Sequence, residues 1–293
     1  TATNEESWGV SLQADIELGD HVLTSITSYR GWDNQEIRDG DWLDQPYVGL
    51  NQLHDDGPQT SNTLSQELRI ASPTGNFLEY VLGAYYSKAD SDRTFARSVI
   101  TCSASTLPAV APGLTPCSTA PGVSTITTPY GIADFGSVFK NFAVFGQATF
   151  NISDDLRFIG GLRWTQDKLN IYHIRRTTLS GPGVGASFDS GVYNNGALVP
   201  APGTDFLAGA PNGIPFTANT KNDNFSGKAA VQVDVTDDNM AYLSYTRGYK
   251  GPAYNVFYNM ATVHTNVIEP ETVNAFEAGV KNSFLDGALI VNL

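Results

Sequence analysis

Basic residues are scarce in this sequence, as are cysteine, methionine, charge of either sign and long apolar runs. Only 17 Lys and Arg stand against 30 Asp and Glu in 293 residues, a formal net charge of -13. Such a field repels phosphate backbones, and the cations are scattered along the chain, so a nucleic-acid role is excluded. No apolar stretch approaches the ~18 residues of a transmembrane helix, which excludes a helical membrane protein. A barrel survives that test, because its strands need only one apolar face. Charged residues make up 16% of the chain, below the usual quarter, while Gly, Ser, Thr, Asn and Tyr are plentiful. That mixture suits β-structure with long polar loops.

What is present is alternation. "WGVSLQADIEL" sets Trp8, Val10, Leu12, Ala14, Ile16 and Leu18 against Ser11, Gln13, Asp15 and Glu17. "LRFIGGLRWTQD" opposes Leu156, Phe158, Leu162 and Trp164 to Arg157, Arg163, Thr165 and Asp167. "FSGKAAVQVDV" and "AFEAGVKNSF" repeat the pattern, the latter with Phe276, Ala278, Val280 and Phe284 against Glu277, Lys281 and Ser283. Period two predicts sheets with unlike faces. Further strands are expected around Val22–Trp32, Thr63–Ala71, Phe77–Ser87 and Phe142–Phe150.

Short and long connections take turns. "LGDH", "SPTGN", "ISDD", "TDDN" and "LDG" are tight turns rich in Gly, Asp, Asn and Pro. The stretches Asn34–Asn62, Thr94–Phe139, Thr177–Thr220 and Ala253–Thr272 lack periodicity and are expected to be long loops. An outer-membrane barrel has short periplasmic turns and long extracellular loops. The expectation is therefore an all-β, antiparallel, up-and-down transmembrane barrel with nine whole strands and a tenth, "ALIVNL", cut short. The loops holding Asp41, Cys117, Gly191 and Asn259 would face the exterior, and the turns at Gly19, Asp154 and Asp237 the periplasm. Trp8, Trp164, Tyr245 and Phe276 are placed near strand ends, as aromatic girdles at the headgroups.

Catalytic signatures are absent: no HExxH, no GxSxG elbow and no phosphate-binding Gly-Lys-Ser/Thr motif occurs. His21, His54, His173 and His264 are far apart, show no ligand spacing and are expected in or beside loops. "GPGVGA" (Gly181–Ala186) follows no buried strand and reads as loop. Asp39, Asp41 and Asp44 in "RDGDWLD" do not keep calcium-loop spacing; they read as solvated acids, the alternative being a weak divalent or lipopolysaccharide-bridging site. No enzyme activity, metal or cofactor is assigned.

"NFAVFGQATFNISDDLRFIGGLRWTQD", "YLSYTRGYKGPAYN" and "EPETVNAFEAGVKNSFLDGALIVNL" resemble the β-barrel of TonB-dependent outer-membrane receptors, and "SQELRIASP" with "FLEYVLGAYYSKADSDR" resembles an earlier hairpin of it. The resemblance implies residence in the outer membrane of a Gram-negative bacterium. It also implies uptake of scarce solutes, by default iron-siderophore complexes, energised through TonB and an inner-membrane complex. Such barrels have about 22 strands and a plug. This chain opens directly in strand pattern, so residues 1–293 are expected to form a partial barrel domain, truncated at both ends, without plug or TonB-contact segment. Its wall would be open-edged, lacking a bond between first strand and last.

The resemblance also gives candidate residues their place. In "AYLSYTRGYKGPAYN", Ala241, Leu243 and Tyr245 face outward and Tyr242, Ser244 and Thr246 face the lumen. Arg247, Tyr249 and Lys250 come at the base of the next loop, as solute contacts or as rim residues fixing strand geometry. Glu67 with Arg69, Glu277 with Lys281, and Arg163 are expected in lumenal wall networks. Cys102 and Cys117 share one exterior loop, where oxidising conditions favour a disulfide over free thiols. Two other classes stay open: a passive porin-type barrel, and a soluble all-β carbohydrate-binding protein. The second would need polar outward strand faces, and those of "LRFIGGLRW" and "KAAVQVDV" are apolar.

Overall fold

The alternating stretches all become strands of one sheet. The structure is a computed structural model and describes residues 1–179, 192–194, 197–199, 215–258, 267–285 and 287–293. The expectations for Gly181–Ala186, Gly191, Asn259 and His264 lie outside the described residues. In chain order the strands are β1 (Ala2–Leu18), β2 (His21–Asp39), β3 (Gln52–Asp56), β4 (Gln59–Ala71), β5 (Leu78–Ser105) and β6 (Ser124–Thr127). There follow β7 (Tyr130–Asn151), β8 (Leu156–Leu179), β9 (Val192–Asn194), β10 (Ala197–Val199) and β11 (Phe216–Thr236). The last are β12 (Asn239–Lys250), β13 (Ala253–Tyr254), β14 (Val267–Ile268), β15 (Glu271–Phe284) and β16 (Leu289–Asn292).

The main sheet runs β1-β2-β3-β5-β7-β8-β11-β12-β15-β16, with β4 between β2 and β5 and β6 on β5. Every pairing is antiparallel. β3 and β4 occupy one lane between β2 and β5, interrupted at Gly57 and Pro58; Pro58 has no N–H to give the ladder, and its carbonyl accepts from Thr94 N at 3.0 Å. The lanes therefore match the nine strands and a stub. Among the described residues β1 pairs only with β2 and β16 only with β15, so the wall is open at both edges.

Register makes the faces explicit. Leu78, Phe150, Phe158, Val231, Leu243 and Ala278 are cross-strand partners in succession over six strands. This row belongs to the outward face, where Leu82, Leu162, Phe225 and Tyr245 are also exposed. An apolar band left uncovered across so many strands is a lipid-facing band. No helix among the described residues is long and apolar enough to cross a membrane, so any crossing is made by strands. Tight turns sit at one end: Gly19, with φ of +65°, reverses the chain between β1 and β2 in two residues, a conformation that glycine adopts at no steric cost.

Three expectations need correction. The stretches taken as unstructured carry long strand extensions: β5 continues to Ser105, β7 starts at Tyr130 and β8 reaches Leu179. Their backbone ladders continue beyond the apolar band, so the loop bases are rigid sheet. The girdle aromatics consequently lie inside strands and not at strand ends. They still pair on the outward face: Trp8 with Tyr29 at 5.4 Å, Phe142 with Trp164 at 6.0 Å and Tyr245 with Phe276 at 4.9 Å. His173, expected in or beside a loop, is in β8 and 1% exposed.

Candidate functional site

Lumenal positions alternate with the lipid-facing ones, and at the level of the band they carry small polar networks. Arg69 Nη1 lies 3.2 Å from Glu67 Oε1. Next to them Thr24 Oγ1 donates to Asp15 Oδ1 at 2.7 Å. Arg163 Nε donates to Thr165 Oγ1 at 3.1 Å, and its guanidinium stands 5.7 Å from the Tyr85 ring and 5.6 Å from that of Phe145. Glu277 and Lys281 are joined by Tyr242, which was expected to face the lumen but not to bridge them: its hydroxyl donates to Glu277, and Lys281 Nζ sits 5.8 Å over its ring. Arg157 grips Asp234 at 2.7 and 2.8 Å. These solvent-screened pairs add little stability and mainly fix side-chain positions on the wall.

Above the band the wall is roofed by the segment after β12. Gly251 begins it: a Cβ there would come to 2.5 Å from Asp167 Oδ2, so a side chain at this turn would have to displace the Asp167 carboxylate. Pro252 follows, buried and without a donor. Tyr254 and Val256 pack on Leu169, Ile171 and Phe139, while Tyr258, fully buried, packs with Phe95, Ala133 and Phe135. Cations flank the rings. Arg93 lies 5.4 Å from both Phe95 and Phe257, and Arg97 lies 5.5 Å from Phe95 and 5.8 Å from Tyr258. Burial pushes the Tyr258 phenol up to about 12, so it stays a neutral donor at ordinary pH.

A buried acid anchors Arg97, while Arg93 lies 3.8 Å from Glu36. Asp55 in β3 receives Arg97 Nε at 2.6 Å and Nη2 at 2.8 Å, and Arg38 Nη2 at 3.1 Å. Burial raises the Asp55 pKa, but the hydrogen bonds and charge of Arg97, with those of Arg38, outweigh it and hold the carboxyl below its ordinary value. Beside the roof a cleft of about 360 Å³ opens between Arg93, Phe135, Ser137, Phe139, Tyr254 and Val256. Its combination of guanidinium, ring faces and hydroxyl suits an anionic, partly aromatic small molecule.

The three loop-base candidates do not converge. Tyr249 turns inward and donates to Asp167 Oδ2 at 2.9 Å, with Asn222 Oδ1 at 3.2 Å. Arg247 shares the outward face with Tyr245 and donates from Nε to the Phe225 carbonyl at 3.2 Å. Lys250 is exposed, 3.8 Å from Glu271. The residues sequence reasoning missed are Asp55, Arg93, Phe95, Arg97, Phe257 and Tyr258. "RTFAR" did carry a signal, since Arg93, Phe95 and Arg97 share one strand face by period two.

The acidic triplet separates. Asp39 and Asp41 come together with His54, their ligand atoms within 4.8 Å of one another, while Asp44 Oδ1 accepts from the Tyr47 hydroxyl. Asp39 already receives the amides of Asp41 and Trp42, and Asp41 those of Leu43 and Leu53, so both carboxylates shape the loop. Cys102, near the end of β5, and Cys117 are bonded as a disulfide.

Residues 1–293 match the family model described as "TonB dependent receptor-like, beta-barrel". Among solved structures, the chain is similar to the ferric yersiniabactin uptake receptor FyuA of Yersinia pestis. The TM-score is 0.66 at 15% identity, over 97% of this chain and 34% of that one. It is also similar to the siderophore receptor PiuA of Acinetobacter baumannii, with a TM-score of 0.60 at 16% identity, over 99% of this chain and 39% of that one. The chain thus spans little more than a third of the length of these structures, and its sheet is part of such a barrel. It belongs to the TonB-dependent receptor β-barrel family, a family of transport receptors in the Gram-negative outer membrane.

Proposed function

We propose that this member of the family forms part of the barrel wall and mouth of a receptor for ferric siderophores. Uptake would draw its energy from TonB and the inner-membrane complex through regions of the receptor other than this wall. The observation that carries the reading is the cleft beside the roofed mouth, where Arg93 meets the rings of Phe135, Phe139 and Tyr254, with Phe257 exposed next to Arg93. Iron chelates of this class are anionic and often aromatic, which is the chemistry such a surface attracts. Support also comes from the two structural relatives, one described as a ferric yersiniabactin uptake receptor and the other as a siderophore receptor. A wall roofed in this way fits a receptor that holds its solute better than it fits an open pore. Growth of a strain lacking the intact gene is the test, under iron limitation, on ferric chelates, cobalamin and oligosaccharides. Loss of growth on one or more ferric chelates is expected; a phenotype confined to a sugar or to cobalamin overturns the reading.

A further inference from the structure

We propose that the outward face of β5, β7, β8 and β11 carries a binding site for a phosphorylated, acylated glycolipid of the outer leaflet. Its polar half is a row of lysines. Lys88 is the cross-strand partner of Lys140, Lys140 of Lys168, and Lys168 of Lys221. At about 4.8 Å between strands, the row extends for about 14 Å.

The direction of these side chains follows from their neighbours. Phe139 and Leu169 lie on the lumenal side, packed with Tyr254 and Val256, so alternation sends Lys140 and Lys168 outward. Asn222 meets the Tyr249 hydroxyl on the lumenal side, which sends Lys221 outward as well. Lys88 forms its ion pair with Asp90, its outward neighbour on the same face, at 2.8 Å.

Like charges in directly opposed cross-strand positions repel. Three such contacts in succession, in a chain of net charge -13, favour an offsetting anion. Acids offset only the ends: Asp90 serves Lys88, and Asp223 lies 3.8 Å from Lys221. Among the described residues Lys140 and Lys168 are exposed and form no ion pair. The row stands just beyond the outward aromatics Tyr86, Phe142 and Trp164, on the side away from the tight turns. In the outer membrane that is the headgroup level of the outer leaflet.

The apolar half lies directly beneath. A cleft of about 500 Å³ is lined by Leu162, Asp223, Phe225, Gly227, Tyr245 and Arg247. It runs on into a second of about 390 Å³ between Phe158, Gly160, Val231, Leu243 and Phe276, and both touch Ala229 and Tyr245. Small residues thin the wall and flanking rings deepen the groove. From Lys221 to Val231 the strand covers about 33 Å, enough for an acyl chain lying along the wall. Arg247, exposed at the groove, adds a fifth cation near the row. A free phosphate would use the lysines and leave the groove idle. One molecule with phosphates and acyl chains uses both.

The inference is independent of the transported solute and is tested without transport. The full-length receptor is purified in detergent, and retained phosphorylated glycolipid is measured by mass spectrometry and phosphorus content. The proteins compared are wild type, the double variant K140A/K168A, and G160L, whose new side chain enters open space because nothing lies within 4 Å of a Cβ there. Heat-modifiable migration on gels checks that each is folded. Retention is expected to fall about tenfold or more in the double variant, as charged hydrogen bonds are lost, and to fall also in G160L. Binding to nanodiscs is compared for lipopolysaccharide, its dephosphorylated form and phosphatidylethanolamine alone, with preference expected only for the first. Unchanged retention in folded K140A/K168A overturns the proposal, as does equal binding of the dephosphorylated lipid. Full competition by inorganic phosphate, or a loss in the lysine variant with none in G160L, shows a phosphate site only and overturns the glycolipid assignment.

Discussion

Arg97 and Asp55 face each other across the β3–β5 pairing and are joined by two hydrogen bonds, at 2.6 and 2.8 Å. This contact ties the loop base to the longest described strand and places Arg97 over the rings of Phe95 and Tyr258. Asp55→Ala removes the carboxylate that Arg97 and Arg38 share; because Arg38 is part-exposed and keeps Glu36 at 3.8 Å, the loss is expected below the about 3–5 kcal/mol of a fully buried pair. That cost is expected to fall on the mouth. Hydrogen exchange should accelerate in β3 and in residues 253–258 while the membrane strands keep their protection; uniform acceleration would show that the contact supports the whole sheet.

The same pair sets a pH window. The folded Asp55 carboxyl titrates below its ordinary value, so its contribution is fully present above about pH 4 and is lost as pH falls through the folded pKa. Mouth protection, corrected for intrinsic exchange rates, is therefore expected to be equal at about pH 7 and about pH 5 and to drop below about pH 4. A drop near pH 6 would point to a histidine and contradict the assignment.

Gly251 admits no side chain without moving Asp167. Gly251→Val is expected to break the Tyr249–Asp167 hydrogen bond and lift the roof from Leu169 and Phe139. Limited proteolysis of the folded receptor should then cut within residues 252–258, where the wild type resists. Equal resistance would mean that the roof is held elsewhere.

Val231 and Leu162 lie on the lipid-facing side, whereas Gln232 faces the lumen. Arginine at Val231 or Leu162 should cost about 2–4 kcal/mol near the bilayer midplane, and Gln232→Arg far less. Thr165 is not a suitable lumenal control: it is 5% exposed and accepts from Arg163. Equal costs on the two faces, measured by folding into lipid vesicles, would mean that both are packed against protein.

The Cys102–Cys117 disulfide closes a loop of 15 residues. In the chain-entropy model a loop of about 15 residues is stabilised by roughly 3 kcal/mol. Reduction is expected to speed exchange in residues 102–127 and to leave the heat-resistant, fast-migrating band intact. Loss of that band would show that the bridge supports the barrel itself.

Legibility followed the solvent. Where a strand has lipid on one face and water on the other, as at Val10–Leu18 or Leu156–Trp164, the faces differ in chemistry and period two shows in the residues. Above the bilayer the difference fades. In "SKADSDRTFARSVITC" both faces meet polar surroundings or a roof, and the strand continues without an apolar signal. The roof was invisible for another reason: Val256, Phe257 and Tyr258 follow Gly-Pro with no period, and their partners lie far earlier in the chain, from Phe95 to Ile171. The lysine row needs register as well as sequence, because Lys88, Lys140, Lys168 and Lys221 meet only once the strands are paired. Arg247 and Tyr249, both expected at the loop base, part company because β12 leaves β11 after Arg247 and Tyr249 turns inward.

Uptake of radiolabelled iron from ferric siderophores, by cells carrying or lacking the intact gene, tests the receptor reading most directly. Accumulation from at least one siderophore should require the gene, stop when the proton-motive force is collapsed, and fall when Arg93 and Phe257 are replaced together by alanine in a receptor that still folds. Accumulation that is identical with and without the gene for every siderophore, or that continues at full rate after collapse of the proton-motive force, would contradict it.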